Sequence, residues 1–256
     1  MKRFGLNLYS VRNLIKTEES FLNTALRLKE QGYSYLQYSG GEFDPARIAR
    51  VSEASGLPVV LTHVPMARIL EDTDALMREH ELFGCRNIGL GMMPLDILQD
   101  DEACLAAIGK LERAAKKMRE NGFGFFYHHH HFEFRKMKDG RTVFDALLET
   151  AEHVNITADT YWLQYGGADV VSALEKLRGR LECVHLKDYK ITGGAEKGYA
   201  PDFAPLSEGV LDFKKIVAKM KECGAKYFLV EQDNAADFPD PLLQTAVSAD
   251  YLKKEV

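Results

Sequence analysis

The sequence predicts an α/β fold, a single-domain (β/α)8 barrel, and three observations carry that expectation. Short apolar runs alternate strictly with longer amphipathic ones. Eight such pairs follow one another along the chain. The 256 residues match the roughly 250 that such a barrel needs. Short apolar strands joined by helices imply a parallel sheet, and the eightfold count favours its closure. No linker, low-complexity stretch or charge block interrupts the alternation, so residues 1–256 read as one domain.

The first strand is expected at Phe4 to Ser10, followed by a helix from Glu18 to Gln31 with Gly32 as its stop. Tyr35 to Tyr38 forms the second strand. The next helix runs from Pro45 to Ser55, with Asp44 at the N-cap and proline at the first helical position. Pro58 to Val64 is β-branched and apolar, as a buried strand should be. A helix follows at Asp72 to Phe83, then a strand at Asn87 to Gly91 and a long helix from Asp100 to Glu120, ended by Asn121 and Gly122. The second half repeats the scheme. Strands are expected at 124–128, 155–158, 181–186 and 227–231, and helices at 143–152, 169–177, 212–223 and 241–253. A long loop containing Gly and Pro spans Lys190 to Glu208. His80 and His153 are placed on helices and expected at the surface.

Composition narrows the classes. The net charge of −5 gives no sign of a nucleic-acid-binding face. Cys85, Cys104, Cys183 and Cys223 form no CxxC pair and match no zinc motif, which points to reduced, buried thiols in a cytoplasmic protein. The first residues, MKRFGLNLYSVRN, lack the apolar stretch of a signal peptide, and no apolar run nears the roughly 20 residues of a membrane span.

In a barrel of this kind the chemistry sits where the strands end. His63 ends the third strand. The fifth ends in His128, His129, His130, His131, Phe132 and Glu133. Asp159 ends the sixth, His185 and Lys187 the seventh, and Glu231, Gln232 and Asp233 the eighth. One such residue alone is more often a solvated loop residue, and His63 by itself is as well explained as a structural histidine. The joint pattern of Glu133, Asp159, His185 and Glu231 is what argues for a metal. Three carboxylates and one imidazole suit Mn²⁺, Mg²⁺ or Co²⁺, with Zn²⁺ as a further candidate. The four histidines are internal and follow an apolar strand, unlike a tag. Alternation along an extended chain puts His128 and His130 on one face and His129 and His131 on the other.

These residues resemble a known family. YHHHHFEF (Tyr127 to Phe134) is similar to the YHNHxxEF segment of the xylose-isomerase-like barrels, the sugar phosphate isomerases and epimerases. GLNLYSVRNL (Gly5 to Leu14), DTYW (Asp159 to Trp162), HLKDY (His185 to Tyr189), EGVLDF (Glu208 to Phe213) and VEQD (Val230 to Asp233) follow in the order that family has. The resemblance covers nearly the whole chain. It implies that Glu133, Asp159, His185 and Glu231 bind the metal, with Glu133 and Glu231 also moving protons. It implies substrate contacts from His63, His128, His130 and Lys187. Relatives often carry a glutamate where His128 stands, so the strand-five ligand is either Glu133 or His128. The chain departs from the family at Gln37 and Tyr38, where many relatives have a glutamate, and at Ser207, where glycine is frequent.

The resemblance implies a metal-dependent isomerase or epimerase acting on a small sugar, keto-sugar or cyclitol through an enediolate. Dehydration of an inosose-like compound is the alternative on the same site. An abasic-site endonuclease and a non-catalytic sugar-binding barrel are the readings from other classes. Tyr9, Phe132, Tyr161 and Trp162 are the aromatics that can line a sugar pocket, with Trp162 the foremost. The partner expected is a small molecule, with no nucleic acid and no membrane, and family members often assemble as homo-oligomers.

Overall fold

A computed structural model describes all residues from Met1 to Val256. The strands are β1 (Gly5–Asn7), β2 (Tyr35–Tyr38), β3 (Val59–His63), β4 (Asn87–Leu90), β5 (Gly124–His128), β6 (Val154–Asp159), β7 (Cys183–Leu186), β8 (Asp188–Gly194), β9 (Gly198–Ala204) and β10 (Tyr227–Val230). Eight of them form a closed parallel barrel in chain order. Its last pair is β1 with β10, in the register Gly5 to Leu229 and Leu6 to Val230. β8 and β9 stand apart as an antiparallel hairpin.

The helices are α1 (Glu18–Glu30), α2 (Pro45–Ser55), α3 (Met66–Glu71), α4 (Thr73–Glu81), α5 (Leu95–Leu98), α6 (Asp101–Glu120), α7 (Val143–Thr150), α8 (Thr160–Tyr165), α9 (Val170–Lys176), α10 (Phe213–Glu222) and α11 (Pro241–Glu255). Side-chain caps start most of the long ones. Thr17 and Ser20 make a reciprocal capping box on α1, and Asp44 accepts from the Arg47 N–H at α2. No helix is long and apolar enough to cross a membrane.

The core has two parts. Tyr35, Leu61, Phe126, Cys183 and Leu229 fill the barrel, and the larger cluster lies between the strands and the helices. Tyr35 fits only because position 5 is glycine: a Cβ there would lie 2.3 Å from the tyrosine ring. The four cysteines are all free and buried, as expected.

Three expectations are corrected. The segment 190–208 is mostly a β-hairpin, since β8 and β9 pair from Asp188–Ala204 to Gly194–Gly198. Short helices α3, α5 and α8 occupy what reads as loop. His80 is fully buried on the inner face of α4, while His153 lies in a turn, half-buried against Glu112. The His80 ring stacks on Phe43. Its Nδ1 donates to the Leu76 carbonyl at 2.7 Å, so its Nε2 accepts the Thr62 hydroxyl at 2.7 Å.

Burial lowers the His80 pKa to about 4, which favours the neutral ring used in this pairing. The folded value lies below the unfolded one, so His80 stabilises fully above about pH 6.5. The contribution is lost as pH falls toward 4, at most roughly 3 kcal/mol. Denaturant unfolding of wild type and His80→Leu between pH 7 and pH 4 should show the wild type losing more stability over that window. Parallel curves would refute the assignment.

Candidate metal centre

The barrel ladder brings the ligand candidates together. Asp159 pairs with His185 in the β6–β7 register, and β10 lies beside β7 with Leu229 opposite His185. Glu231 follows one step beyond β10, its N–H donating to the Leu186 carbonyl at 3.0 Å. His128 is the last residue of β5. One ligand atom from each of His128, Asp159, His185 and Glu231 lies within 4.8 Å of every other, and all four residues are buried.

Each residue has its outer atom engaged, which leaves its inner atom facing the cluster. His128 Nδ1 meets the Gly91 carbonyl at 2.9 Å, and His185 Nε2 meets Gln37 Oε1 at 2.7 Å. Both acceptors require a proton on the outer nitrogen, so His128 Nε2 and His185 Nδ1 turn inward. Asp159 Oδ1 caps α8 by accepting the Trp162 N–H, and Asn7 Nδ2 donates to Glu231 Oε1 at 2.6 Å. Asp159 Oδ2 and Glu231 Oε2 remain. His128 Nε2 lies 3.4 Å and His185 Nδ1 3.6 Å from Asp159 Oδ2, and His185 Nδ1 lies 2.8 Å from Glu231 Oε2. Ligand atoms about 2.1 Å from a shared ion sit roughly 3 Å apart. His185 Nδ1 and Glu231 Oε2 are buried with no well-aligned hydrogen-bond partner. The spacing, the orphaned atoms and the donor chemistry all fit a divalent metal.

Glu133 stands elsewhere. It is buried behind the histidine run, with Oε1 accepting from Tyr127 Oη at 2.6 Å and Oε2 from the His130 N–H at 2.8 Å. Both oxygens are spent on shaping that loop. Of the two strand-five candidates, His128 joins the cluster and Glu133 does not. The reason is that the chain leaves β5 at His128 and turns through 3₁₀ geometry at Phe132–Phe134, which carries Glu133 away from the barrel axis. The alternation of the histidines persists past the strand end. His128 and His130 face the cavity, while His129 packs on Phe134 and Phe144 and accepts the Asp159 N–H.

A cavity of ≈ 320 Å³ opens on the cluster. Its wall is Tyr9, Ser39, His63, Gly91, Met92, His128, His130, Lys187, Glu231 and Asp233. His63, His128, His130 and Lys187, the residues expected to contact substrate, all line this cavity. Trp162 stands behind them, its ring 5.0 Å from that of His130 and 5.2 Å from Lys187 Nζ. A larger cleft of ≈ 570 Å³ on the far side of His131 and Phe132 is mainly apolar and lacks the cluster. Lys187 Nζ lies 2.9 Å from both Glu231 Oε2 and Asp233 Oδ1 and 3.4 Å from Asp159 Oδ2. Gln37, Asn7 and Asp233 were not among the expected site residues. Asp233 was visible only as one more acid at a strand end, and Gln37 only as a departure from the family's glutamate. Gln37 also donates to His63 Nε2 at 2.9 Å, so one neutral amide orients two histidines.

Electrostatics follow from burial. Burial alone would raise the carboxyls of Asp159 and Glu231, but Lys187 and the facing histidines hold both well below the usual carboxylate range. Burial would lower His185, but Glu231 and Asp159 outweigh it and hold the ring up at about 9. Burial and the neighbouring His128 pull His130 down to about 2, and they keep His63 well below its ordinary value. A divalent ion must therefore compete with the His185 proton, and Mn²⁺ affinity should rise with pH toward about 9. Calorimetry at pH 6.5 and 8.5 checks the sign. His128→Ala should lose at least about tenfold in affinity and Glu133→Gln much less, since Glu133 bonds Tyr127 and the His130 N–H and none of the four cluster residues. The reverse order would restore Glu133 as the ligand.

The sequence matches the family model for a xylose isomerase-like TIM barrel over residues 28–255. No curated protein matches it significantly. Among solved structures, a sugar phosphate isomerase/epimerase from Parabacteroides distasonis is 20% identical, with 99% of this chain and 94% of that one covered and a TM-score of 0.81. A xylose isomerase-like TIM barrel protein from Mycobacterium smegmatis in complex with magnesium is 16% identical over 97% of this chain and 94% of that one, at a TM-score of 0.73. An L-ribulose 3-epimerase is 15% identical over 99% and 94%, at 0.68. At these identities the likeness is one of fold, and the family match extends it to sequence. The chain belongs to the xylose isomerase-like TIM barrel family.

Proposed function

We propose that the protein is a metal-dependent isomerase or epimerase of a small sugar or keto-sugar that works through an enediolate. The observation that carries this reading is the set of four inward atoms, each with its opposite atom held from outside, at the floor of a polar cavity. A divalent ion bound there would polarise a carbonyl and its neighbouring hydroxyl, making the adjoining carbon-bound proton acidic.

The chain supplies the rest. Glu231 reaches the cavity wall and is kept ionised, so it serves as the proton acceptor. Asn7 holds its other oxygen and fixes the carboxylate plane. Lys187, whose pKa the three carboxylates raise against the effect of burial, donates to the oxygen on which negative charge develops. His63 and His130 are neutral and can exchange hydrogen bonds with substrate hydroxyls. Glu133 does not reach the cavity, which leaves Glu231 as the proton carrier on the wall nearest the cluster. Two imidazoles with two carboxylates move the expected ion from Mg²⁺ toward Mn²⁺, Co²⁺ or Zn²⁺. Dehydration shares the proton abstraction and differs by expelling a β-hydroxyl.

Incubation in D₂O with Mn²⁺ and a panel of ketopentoses, ketohexoses and keto-cyclitols should exchange a carbon-bound proton, read by NMR, and the product separates epimerisation from water loss. Glu231→Gln should slow the exchange about 10²–10⁴-fold. Exchange that persists unchanged in that variant, or none with any compound, would defeat the proposal.

A further inference from the structure

We infer that the substrate is uncharged, a free ketose or keto-cyclitol bearing neither a phosphate nor a carboxylate. This rests on the enolising reading above and narrows it to one substrate class.

Lys187 is the only cationic side chain on the cavity wall, and it is already paired. Its ammonium touches Asp233 Oδ1 at 2.9 Å. Asp233 is not one of the four cluster residues, so this pairing survives whatever the other carboxylates bind. With a divalent ion on the cluster, Asp159 and Glu231 balance the ion and Asp233 balances Lys187. No positive charge is left over. Arg12, near the mouth, does not change this. Its guanidinium lies over the Tyr9 ring, donates to the carbonyls of Tyr9 and Asp233, and faces Asp237 at 3.9 Å.

The place where a barrel usually holds phosphate is also filled. Such sites form from the loops after the seventh and eighth strands. Here the loop after β7 supplies its own anion. Asp188 Oδ1 accepts the N–H groups of Tyr189, Val210 and Leu211 at 2.8, 3.1 and 3.2 Å. Clustered backbone N–H groups of this kind are an anion-binding concavity. Position 209 must be glycine for the carboxylate to sit there, since a Cβ would lie 2.2 Å from Asp188 Cγ. The turn after β10 adds Asp233 and Asp237, acids where a phosphate loop needs donors. A dianion entering this mouth would lose its hydration and meet carboxylates, while neutral hydroxyls would meet Ser39, His63 and His130.

The test compares matched pairs on the Mn²⁺-loaded protein. D-fructose and D-ribulose are each set against their terminal phosphate esters, and dihydroxyacetone against hydroxypyruvate. Exchange in D₂O gives kcat/KM, and calorimetry gives binding. The neutral member should be favoured on the order of tenfold or more in each pair. Asp233→Asn, which releases Lys187, should narrow the ratio. A wild-type preference for the charged members, or equal use of both, would overturn the inference while leaving the enolising reading in place. An unchanged ratio in Asp233→Asn would overturn it too. If no compound of either kind exchanges, the enolising reading fails, and the calorimetric preference alone decides whether the cavity excludes anions.

Discussion

Two carboxylates, Asp159 and Glu231, are buried side by side at the mouth of the barrel, and their charge has to be balanced. An uncompensated buried carboxylate is too costly to persist, so cations and donors must converge on the pair. His185, His128 and Lys187 do so. The outer oxygens are taken by the Trp162 N–H and by Asn7, and the outer nitrogens of the histidines by Gln37 and the Gly91 carbonyl. These partners come from the ends of different strands, so closure of the barrel is a condition for the site. The β6–β7 register, with Asp159 beside His185, is the part of the ladder the centre depends on most directly.

Much of this was legible in the sequence. Strand ends are visible because an apolar run stops at a polar residue, and Asp159, His185 and Glu231 each follow such a run. Which strand-five residue joins the cluster was not legible. Choosing between His128 and Glu133 requires the path of the chain after β5, and a 3₁₀ turn of three residues leaves no periodic trace. Alternation alone did place His128 and His130 together. The short helices α3, α5 and α8 escaped because four to six residues are too few to set a 3.6-residue pattern. The β8–β9 hairpin escaped because half of its strand residues are exposed and only two are buried, so it carries no apolar alternation. His80 escaped because a buried polar ring is paid for by two hydrogen bonds that only tertiary structure supplies.

The scaffold separates the buried cluster from the loops around its mouth. The cluster of His128, Asp159, His185 and Glu231 lies at the strand ends and is held by hydrogen bonds from Asn7, Gln37, the Gly91 carbonyl and the Trp162 N–H. The loops bring Asp188, Asp233 and Asp237 to the mouth and make it acidic, with Lys187 held beside Asp233. Gln37 lends His185 an acceptor without adding a third carboxylate to the cluster. With a divalent ion bound, the charges of this centre would sum to near neutral, in keeping with the uncharged substrate proposed above.

The most direct measurement is crystallographic. Anomalous diffraction from crystals grown with Mn²⁺ would locate the ion without reference to activity. A single strong peak is expected about 2.1 Å from His128 Nε2, Asp159 Oδ2, His185 Nδ1 and Glu231 Oε2, with Glu133 still bound to Tyr127 and the His130 N–H. A peak coordinated by Glu133, or none at this cluster, would contradict this assignment.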